Sequence, residues 1–431
     1  MPLLTVTRNT FFKKTTAQSA SLASIDKFSV NAGQFFEVNY AFRVGQHCFI
    51  KLKNPLGTVG KIGYFYLPHV SVEIEEIRAV WLTNVDSDVL SSQTAIQQGL
   101  QQLKDLGFNT IYPAVWQKGF TLYPSKIAEN FIGSPITPNP IFADRDMLAE
   151  LVETANSLNL RVIPWFEYGL ATLPDSQLEK KHPHLLTLDQ NGNKIRIKTS
   201  DGKPDHHVWF NPCHPVVQQF MVDLISDVVV RYEVDGIQLD DHFVFPIELG
   251  YDSFTKALYR IENRGKSLPL DPKHPDRLNW ASAKLTHLLA RIFKAIKAKR
   301  SDCLLSLSPN PLGFSKTNYL ADWQDWEKQG LIEELVLQVY REALPAFAGE
   351  LDKSEVFESR HHIPTVIGIL TGLRVKSIAT STIENQLQEI RQRKLAGVAF
   401  FFYETLFNEA LSPAKITRNL ADLNRLFKSS S

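Results

Sequence analysis

From residue 76 onward, short apolar runs alternate with helical periodicities, and this alternation constrains the fold more than any other feature of the chain. The apolar runs cover residues 77–83, 110–116, 161–167, 234–241, 304–309, 334–340, 365–371 and 397–403. Between them, apolar residues recur at helical spacing, as at Ile96, Leu100 and Leu103. Continuous apolar strands that alternate with helices are typical of a parallel sheet. Eight such units predict an α/β chain that forms a (β/α)8 TIM barrel.

The first 73 residues have a different pattern of apolar and polar residues from the rest of the chain. Short alternating stretches and the turn signals between them fall at residues 31–33, 35–38, 44–45, 47–52, 54–57 and 63–67. Alternation bounded by Gly, Pro and Asn is typical of short antiparallel strands. The pattern predicts a small all-β module, about the size of an SH3 fold, over residues 1–73, followed by the barrel over residues 74–431.

Composition excludes several classes of protein. The 431 residues are 44% hydrophobic and 22% charged, with a formal net charge of +1, which gives no sign of attraction to nucleic acid. No apolar run approaches the roughly 18 residues that a membrane span requires. Residues 1–14 lack the apolar core of a secretory signal, which predicts a cytoplasmic protein; the periplasm or cell wall is the alternative if a leader is missing. Cys48, Cys213 and Cys303 are far apart and indicate neither a disulfide framework nor a zinc site.

The fourth apolar run ends in a cluster of ionisable residues. Asp240, Asp241 and His242 follow Val234, Ile237 and Leu239 directly. The carboxyl ends of barrel strands are where catalytic groups lie in this class of fold. Adjacent carboxylates are costly inside a strand, so they are expected to project into a cleft where one pKa is raised. The alternative is that one Asp caps the following helix and the other is solvated.

Polar and aromatic residues also follow the other predicted strands. They are Trp81, Trp116, Trp165, Glu167, Asn310, Tyr340, Arg341, Tyr403 and Glu404. Flat indole faces at a barrel rim could stack on sugar rings, although packing inside the barrel is the alternative for each tryptophan. Trp323 and Trp326, three apart in a helical stretch, are predicted to be packing residues.

Glycoside hydrolysis requires two carboxyl groups, one that protonates the leaving oxygen and one that acts as nucleophile or base. Asp240 is the first candidate for nucleophile or base, and it shares the inward face of its strand with Gln238. Asp241 would orient a neighbour or bind sugar hydroxyls. Glu404 and Glu167 both follow aromatic residues that would raise a carboxyl pKa, so either could be the acid, and Glu342 is a third candidate.

The connections that leave the second and third strands are long. They run from about residue 117 to 143 and from 168 to 214, well above the usual length. Within the second, stretches 185–188 and 194–198 flank a turn signal and predict a β-hairpin. Long loops at one rim predict an extended groove, which would suit a polymer.

Other catalytic classes require signatures that the chain lacks. It contains no Walker loop, GxGxxG motif, CxxC pair or GxSxG elbow. An Asp-Asp-His cluster is also found in metal-dependent deacetylases, which usually add two histidines at helical i, i+4 spacing. None of the 12 histidines forms such a pair.

Several segments together resemble the glycosyl hydrolase-like 10 family. They are 76–83, 122–125, 210–212, 234–243, 308–310, 337–340 and 401–403. The resemblance covers essentially all of residues 74–420 and implies a TIM-barrel glycosidase, which in some members acts on the glycan strands of peptidoglycan. It matches Asp240 and Asp241 to the family's Asp-Asp motif, and Asn211, Trp81 and Tyr340 to other rim positions.

Two further resemblances qualify this expectation. The N-terminal module resembles bacterial SH3-like modules of wall-acting and carbohydrate-acting enzymes, with a plain structural cap on the barrel as the alternative. Residues 235–240 are also similar to the fourth-strand motif of α-amylase-type barrels, in which an arginine stands two residues before the nucleophile. Here Gln238 stands at that position, so the amylase mechanism does not transfer directly.

The sequence therefore predicts a glycoside hydrolase that cleaves a polysaccharide without a cofactor or metal. Its expected catalytic groups are Asp240, Asp241, Glu404 and Glu167. Its expected substrate-binding groups are Trp81, Trp116, Trp165, Asn211, His242, Asn310, Tyr340, Arg341 and Tyr403. A non-catalytic glycan-binding barrel is the alternative, followed by a metal-dependent polysaccharide deacetylase.

Overall fold

The N-terminal part of the chain is an all-β sheet. A computed structural model describes residues 3–194, 207–373, 376–407 and 426–427. The first strands are β1 (Leu3–Val6), β2 (Thr10–Lys13), β3 (Lys27–Val30), β4 (Phe35–Val44), β5 (His47–Leu56), β6 (Gly60–Tyr66) and β7 (Val70–Ser71). They form one antiparallel sheet in the order β3-β2-β6-β5-β4-β1-β7. The predicted all-β character is confirmed, whereas the likeness to an SH3 fold stays a prediction.

The remaining described strands supply the main sheet and three small two-stranded antiparallel sheets. They are β8 (Ile77–Leu82), β9 (Thr110–Pro113), β10 (Trp116–Gln117), β11 (Phe120–Thr121), β12 (Arg161–Val162), β13 (Trp165–Phe166), β14 (Ala171–Thr172), β15 (Val208–Trp209), β16 (Gly236–Asp240), β17 (Leu304–Ser308), β18 (Glu334–Gln338), β19 (Thr365–Leu370), β20 (Gly372–Leu373), β21 (Lys376–Ser377) and β22 (Gly397–Phe401). All eight apolar runs predicted as strands contain a strand.

The main sheet is parallel and curls into a TIM-barrel-like arrangement. Its order is β12-β9-β8-β22-β19-β18-β17-β16-β13. The two strands at the ends of this order, β12 and β13, belong to one short segment of chain that is interrupted at Pro164. Proline cannot donate a ladder hydrogen bond, which explains the interruption. Its first part, β12, pairs with β9, and its second part, β13, pairs with β16. The segment therefore joins the two ends of the curled sheet.

Helices cover the outside of the sheet. They are α1 (Gln93–Asp105), α2 (Lys126–Ile132), α3 (Met147–Ser157), α4 (Gln177–Lys181), α5 (Pro215–Arg231), α6 (Ser253–Glu262), α7 (Pro275–Lys299), α8 (Leu312–Tyr319), α9 (Trp323–Lys328), α10 (Leu344–Leu351), α11 (Ser354–Ser359), α12 (Thr380–Gln392) and α13 (Tyr403–Phe407). Helix α1 illustrates why they form: Ser92 caps it by accepting from the Ala95 amide, and its apolar stripe is buried. Trp323 and Trp326 are fully buried, which confirms their packing role.

The N-terminal sheet packs against the barrel at the amino ends of the barrel strands. Tyr40 and Phe42 of β4 belong to the same continuous apolar core as the barrel strands. Their ring centroids lie 4.9 and 5.0 Å from the guanidinium carbon of Arg161, the first residue of β12. Lys51 of β5 forms a 2.8 Å ion pair with Asp235, just before β16. The module therefore closes the barrel at the end opposite Asp240.

Three other expectations can be compared with the structure. Cys48, Cys213 and Cys303 are buried free thiols. Among the described helices, none has both the length and the apolar character needed to cross a lipid bilayer. The predicted hairpin falls partly outside the described residues: the turn at Asp189 is present, but residues 195–206 are not described.

Candidate active site

Asp240 is the last residue of β16 and lies inside the mouth of the barrel. Its side chain is 3% exposed. The indole N–H of Trp165, on the neighbouring strand β13, donates to one carboxylate oxygen, and the backbone N–H of Asp241 donates to the other. Both oxygens thus accept hydrogen bonds, which fix the carboxyl group at the carboxyl end of the sheet.

Asp241 and His242 continue from the end of the strand toward solvent. The Asp241 side chain is 25% exposed and that of His242 is 28% exposed. The side-chain amide of Asn310 donates to Asp241 Oδ2 at 2.7 Å. His242 Nδ1 lies 3.3 Å from Asp241 Oδ1 and 3.7 Å from Asp240 Oδ1. The structure therefore brings four predicted site residues together: Asp240, Asp241, His242 and Asn310.

The two adjacent carboxyl groups have opposite pKa shifts. Burial, and then the negative charge of Asp241, raise the pKa of Asp240 well above its ordinary value. Burial opposes ionisation of Asp241, but its hydrogen bond with Asp240 and the charge of His242 hold its pKa well below the ordinary value. Burial likewise opposes protonation of His242, but the charge of Asp241 raises its pKa. The cluster thus favours a proton on Asp240 and on His242 and a negative charge on Asp241.

Glu167 follows β13 and adds a third carboxyl group to the same surroundings. Its Oε2 accepts a 3.0 Å hydrogen bond from the Gln117 side chain. Burial raises the pKa of Glu167 to about 7, while the Gln117 hydrogen bond and the charge of His242 oppose that rise and the charge of Asp241 adds to it. Glu167 is therefore partly protonated at neutral pH and lies within the electrostatic reach of the cluster.

Aromatic rings surround His242. Tyr168 and Trp209 stack with the imidazole at centroid distances of 5.6 and 6.0 Å, and the His207 ring lies at 5.1 Å. These three residues were not among the predicted site residues. Trp209 directly precedes segment 210–212, which resembles the glycosyl hydrolase-like 10 family. That position in the sequence is the feature that could have identified Trp209 as a site residue. The long connection after β13 thus folds back over the cluster.

Two of the predicted tryptophans are packed inside the fold. Trp81 is 1% exposed, and its indole N–H donates to Gln238 Oε1 at 2.8 Å. Trp116 is 2% exposed and donates to the Gly169 carbonyl at 3.0 Å. These contacts support packing inside the barrel, rather than stacking on sugar rings, as the role of Trp81 and Trp116. Trp165 is also buried, but its N–H contacts the catalytic candidate Asp240.

Tyr340 lies beside the cluster, whereas Arg341 points elsewhere. Burial, followed by the charges of Asp240 and Asp241, raises the pKa of Tyr340 well above its ordinary value. Arg341 is exposed, and its guanidinium lies 3.4 Å from Glu350. Tyr340 thus remains in reach of a molecule bound at the cluster.

Glu404, Tyr403 and Asn211 have polar contacts with other parts of the fold. Glu404 lies in the first turn of α13, where Oε1 accepts from the Asp88 backbone N–H at 2.8 Å and from the Ser87 hydroxyl at 3.1 Å. The Tyr403 hydroxyl donates to Gln102 of α1 at 3.1 Å. The buried Asn211 side chain donates to Asp252 and Thr255 and accepts from the Cys213 N–H. These contacts organise loops around the barrel.

A family model described as glycosyl hydrolase-like 10 matches residues 76–389. The chain belongs to the glycosyl hydrolase-like 10 family. It is 25% identical over 288 residues to glycosyl hydrolase DigH of Escherichia coli strain K12, covering 61% of this chain and 62% of that protein. It is 23% identical over 301 residues to glycosyl hydrolase YngK of Bacillus subtilis strain 168, covering 62% and 54%. The chain thus spans less than two thirds of the length of these curated relatives.

Solved structures with a similar fold include glycoside hydrolases. The PgaB (BpsB) glycoside hydrolase domain from Bordetella bronchiseptica matches with a TM-score of 0.55 at 12% identity, covering 79% of this chain and 99% of that one. The catalytic domain of β-amylase from Paenibacillus polymyxa also gives 0.55 at 12% identity, covering 82% and 98%. At such low identity the likeness shows the fold alone.

In this member of the glycosyl hydrolase-like 10 family, the cluster has the geometry of a possible cation site. Asp240, Asp241 and His242 each offer one ligand atom, and these atoms lie within 4.8 Å of one another. Two carboxylate oxygens and an imidazole nitrogen form a donor set that suits several divalent metals. The expectation that no metal is required therefore stays a prediction, and chelation tests it.

Proposed function

We propose that the protein is a glycoside hydrolase in which Glu167 is the general acid and Asp241 the nucleophile or base. The observation that carries this proposal is the pair of opposite pKa shifts of two carboxyl groups that lie within electrostatic reach of each other. Glu167, with a pKa of about 7, retains a transferable proton near neutral pH, while the pKa of Asp241 is low enough to keep it ionised. One protonated and one ionised carboxyl group are what hydrolysis of a glycosidic bond requires.

Asp240 then has a positioning role. Asp241 is about a quarter exposed at the barrel mouth, whereas Asp240 is almost completely buried, so Asp241 is the carboxyl group that a sugar can reach. The sequence favoured Asp240 as nucleophile or base, and that assignment is the competing version of the proposal. Glu404 is the competing acid, although its carboxylate is engaged by the 87–88 loop.

The substrate that we propose is a polysaccharide. Tyr168 and Trp209 offer ring surfaces beside His242, and apolar ring faces are suited to contact with sugar rings. The glycan strands of peptidoglycan are the first polymer to test, because the sequence resemblance implies them for some family members. We also propose that residues 1–73 are an SH3-like module attached to a barrel at residues 74–431.

A metal-dependent deacetylase is the second candidate. The closeness of the ligand atoms of Asp240, Asp241 and His242 favours it. It predicts acetate release that chelation abolishes, whereas the glycosidase predicts new reducing ends that survive chelation. A non-catalytic glycan-binding barrel predicts binding without either product.

The deciding experiment measures reducing ends and acetate released from purified peptidoglycan and from other polysaccharides of known linkage, with and without a chelator. The control is the Asp240→Asn/Asp241→Asn double variant, checked for folding by circular dichroism. Reducing ends that appear with wild type in the presence of chelator, and not with the double variant, would support the glycosidase. Chelator-sensitive acetate release would replace it with the deacetylase, and glycan binding without product would replace it with the binding barrel.

A further inference from the structure

A cavity of about 590 Å³ lies between the N-terminal sheet and the barrel. The sheet contributes Arg43 at the end of β4 and the Tyr66–Pro68 corner after β6. The barrel contributes Arg360 and His361 from the turn after α11, and residues 392–394 from the end of α12. Both barrel segments lead into strands, β19 and β22, so the cavity is at the end of the barrel opposite the Asp240 cluster.

The charges that line this junction cavity are of one sign. Arg43, Arg360, Arg393 and Lys394 are among the lining residues, and no acidic side chain is among those lining it in the described part of the chain. Such a concentration is notable in a protein whose formal net charge is +1. Clefts lined by one sign of charge raise the local concentration of the opposite ion.

Three of these cations lack a carboxylate partner in the part of the chain that the structure describes. Arg393 is engaged, because it forms a two-pronged ion pair with Asp352 at 2.8 and 2.9 Å. By contrast, Arg43, Arg360 and Lys394 form no ion pair within residues 3–194, 207–373, 376–407 and 426–427. Arg43 and Lys394 are also exposed, so their charges are free to meet a ligand.

Arg360 is held in place but retains an unused donor. Its guanidinium carbon lies 4.2 Å from the centroid of the Phe357 ring, and Nη1 donates to the Arg393 carbonyl. Its Nε is buried and has no hydrogen-bond partner among the described residues. A guanidinium fixed in this way suits phosphate and carboxylate oxygens, which arginine binds with planar geometry.

The positive charge of Arg360 also affects the neighbouring His361. Burial lowers the pKa of His361, and the charge of Arg360 lowers it further. The imidazole also lies against the 44–46 turn, since a Cβ at Gly45 would fall 2.6 Å from its Nδ1. The cavity is thus formed by the contact between the two regions rather than by either alone.

We propose that this junction cavity binds a sugar-sized anion that carries a phosphate or carboxylate group. The cavity exceeds the size of a bare inorganic ion, and Tyr66, Leu67 and Pro68 provide a wall for a less polar body. Because the cavity is remote from Asp240, the ligand would bind without occupying the catalytic mouth. This inference is independent of the proposed hydrolysis.

Isothermal titration calorimetry of the full chain tests the proposal with glucose 6-phosphate and glucuronate as probes and glucose as the neutral comparison. We expect at least one anionic probe to bind, affinity to fall as salt rises, and glucose not to bind. The Arg43→Gln/Lys394→Gln variant should lose at least about tenfold in affinity. Both changes are at exposed positions, so the fold should be retained.

The matched control is Lys256→Gln/Arg260→Gln, which removes the same two charge types from exposed positions on α6. It should bind as wild type does. Preference for glucose 6-phosphate or for glucuronate would identify the anionic group. Failure of both anions to bind at millimolar concentration, or equal loss of affinity in the control and the junction variant, would overturn the proposal.

Discussion

Buried charge occurs at both ends of the barrel interior, but its surroundings differ. At the amino end, Arg161 and Glu334 form a 2.8 Å ion pair, with side chains 5% and 0% exposed. Both Glu334 oxygens are satisfied, because Oε2 accepts from Arg161 and Oε1 accepts from the Tyr112 and Ser306 hydroxyls at 3.2 and 3.0 Å. Glu334 thus has an opposite charge and a hydrogen bond at each oxygen, although Arg161 Nε is buried without a hydrogen-bond partner in the described part of the chain. Removal of either charge would leave the other buried and unpaired.

At the carboxyl end, two carboxyl groups that oppose each other's ionisation are adjacent. Asp240 and Asp241 compete for ionisation, and His242 Nδ1 is a buried atom without a well-aligned hydrogen bond. Shifted pKa values of this kind are concentrated at functional sites. The comparison teaches that one end of the barrel uses buried charge to hold the fold together, while the other retains electrostatic strain that chemistry can use.

The largest expected effect is on catalysis at the strained end. Asp241→Asn should lower kcat by about 10⁴-fold, or about 5.4 kcal/mol, because it removes the proposed nucleophile or base. Asp240→Asn is the matched comparison, since an amide resembles a neutral carboxyl group and burial raises the pKa of Asp240 in favour of that form. It should retain much more activity in steady-state assays of reducing-end release. The reverse order of effects would return the nucleophile or base role to Asp240.

The Arg161–Glu334 ion pair at the amino end of the barrel should affect the stability of the fold rather than catalysis. Arg161→Leu would leave Glu334 buried without its partner and should lower the free energy of unfolding by about 3–5 kcal/mol. Urea denaturation followed by tryptophan fluorescence measures this loss. The Arg161→Leu/Glu334→Leu double variant should recover part of it. A loss of less than about 1 kcal/mol in the single variant would mean that the ion pair does not stabilise this end.

Glu167→Gln should lower activity but raise stability, and the gain in stability should depend on pH. The pKa of Glu167 is raised to about 7, so the proton needed for catalysis is lost as pH rises through that value. Wild-type activity should therefore fall above about pH 7, and the variant should be inactive. Because ionised Glu167 is disfavoured in the folded state, the variant should be more stable than wild type by about 1–3 kcal/mol at pH 8 and unchanged at pH 4.

Thermal unfolding at the two pH values measures this stability difference. An alkaline decline in activity that is centred far from pH 7, or equal stability of the two proteins at pH 8, would contradict the assignment of Glu167 as the acid.

The smallest effect concerns the hydrogen bond that supports Asp241. Asn310→Ala removes the 2.7 Å donor to Asp241 Oδ2, one of the interactions that hold the Asp241 pKa down. Activity that depends on ionised Asp241 is lost as pH falls through its pKa. The acidic limit of the pH–kcat profile should thus move to higher pH by about one unit. An unchanged acidic limit would indicate that another group sets it.

The barrel strands could be predicted because parallel strands buried on both faces leave continuous apolar runs in the sequence. The grouping of residues 240–242 could be predicted for a related reason, since they directly follow such a run and the carboxyl ends of barrel strands are where catalytic groups lie. The orientation of Glu404 could not. The predicted strand continued to residue 403, but β22 ends at Phe401 and α13 begins at Tyr403, so Glu404 is turned toward the 87–88 loop.

The aromatic wall around His242 also depends on long-range contacts. Tyr168 and Trp209 are 41 residues apart in sequence, and the antiparallel pairing of β14 with β15 is what brings that long connection together. Likewise, Trp81 looks like a rim residue in the sequence. Its burial depends on a partner, Gln238, that lies 157 residues away and satisfies its N–H inside the barrel.

The position of Arg161 beneath the N-terminal sheet links the folding of the two regions. The same guanidinium pairs with Glu334 inside the barrel and lies against the rings of Tyr40 and Phe42. Removing residues 1–73 would uncover these apolar contacts and expose an ion pair that depends on exclusion of water. The sheet and the barrel should therefore unfold in a single cooperative transition, although the sequence divides them at residue 73.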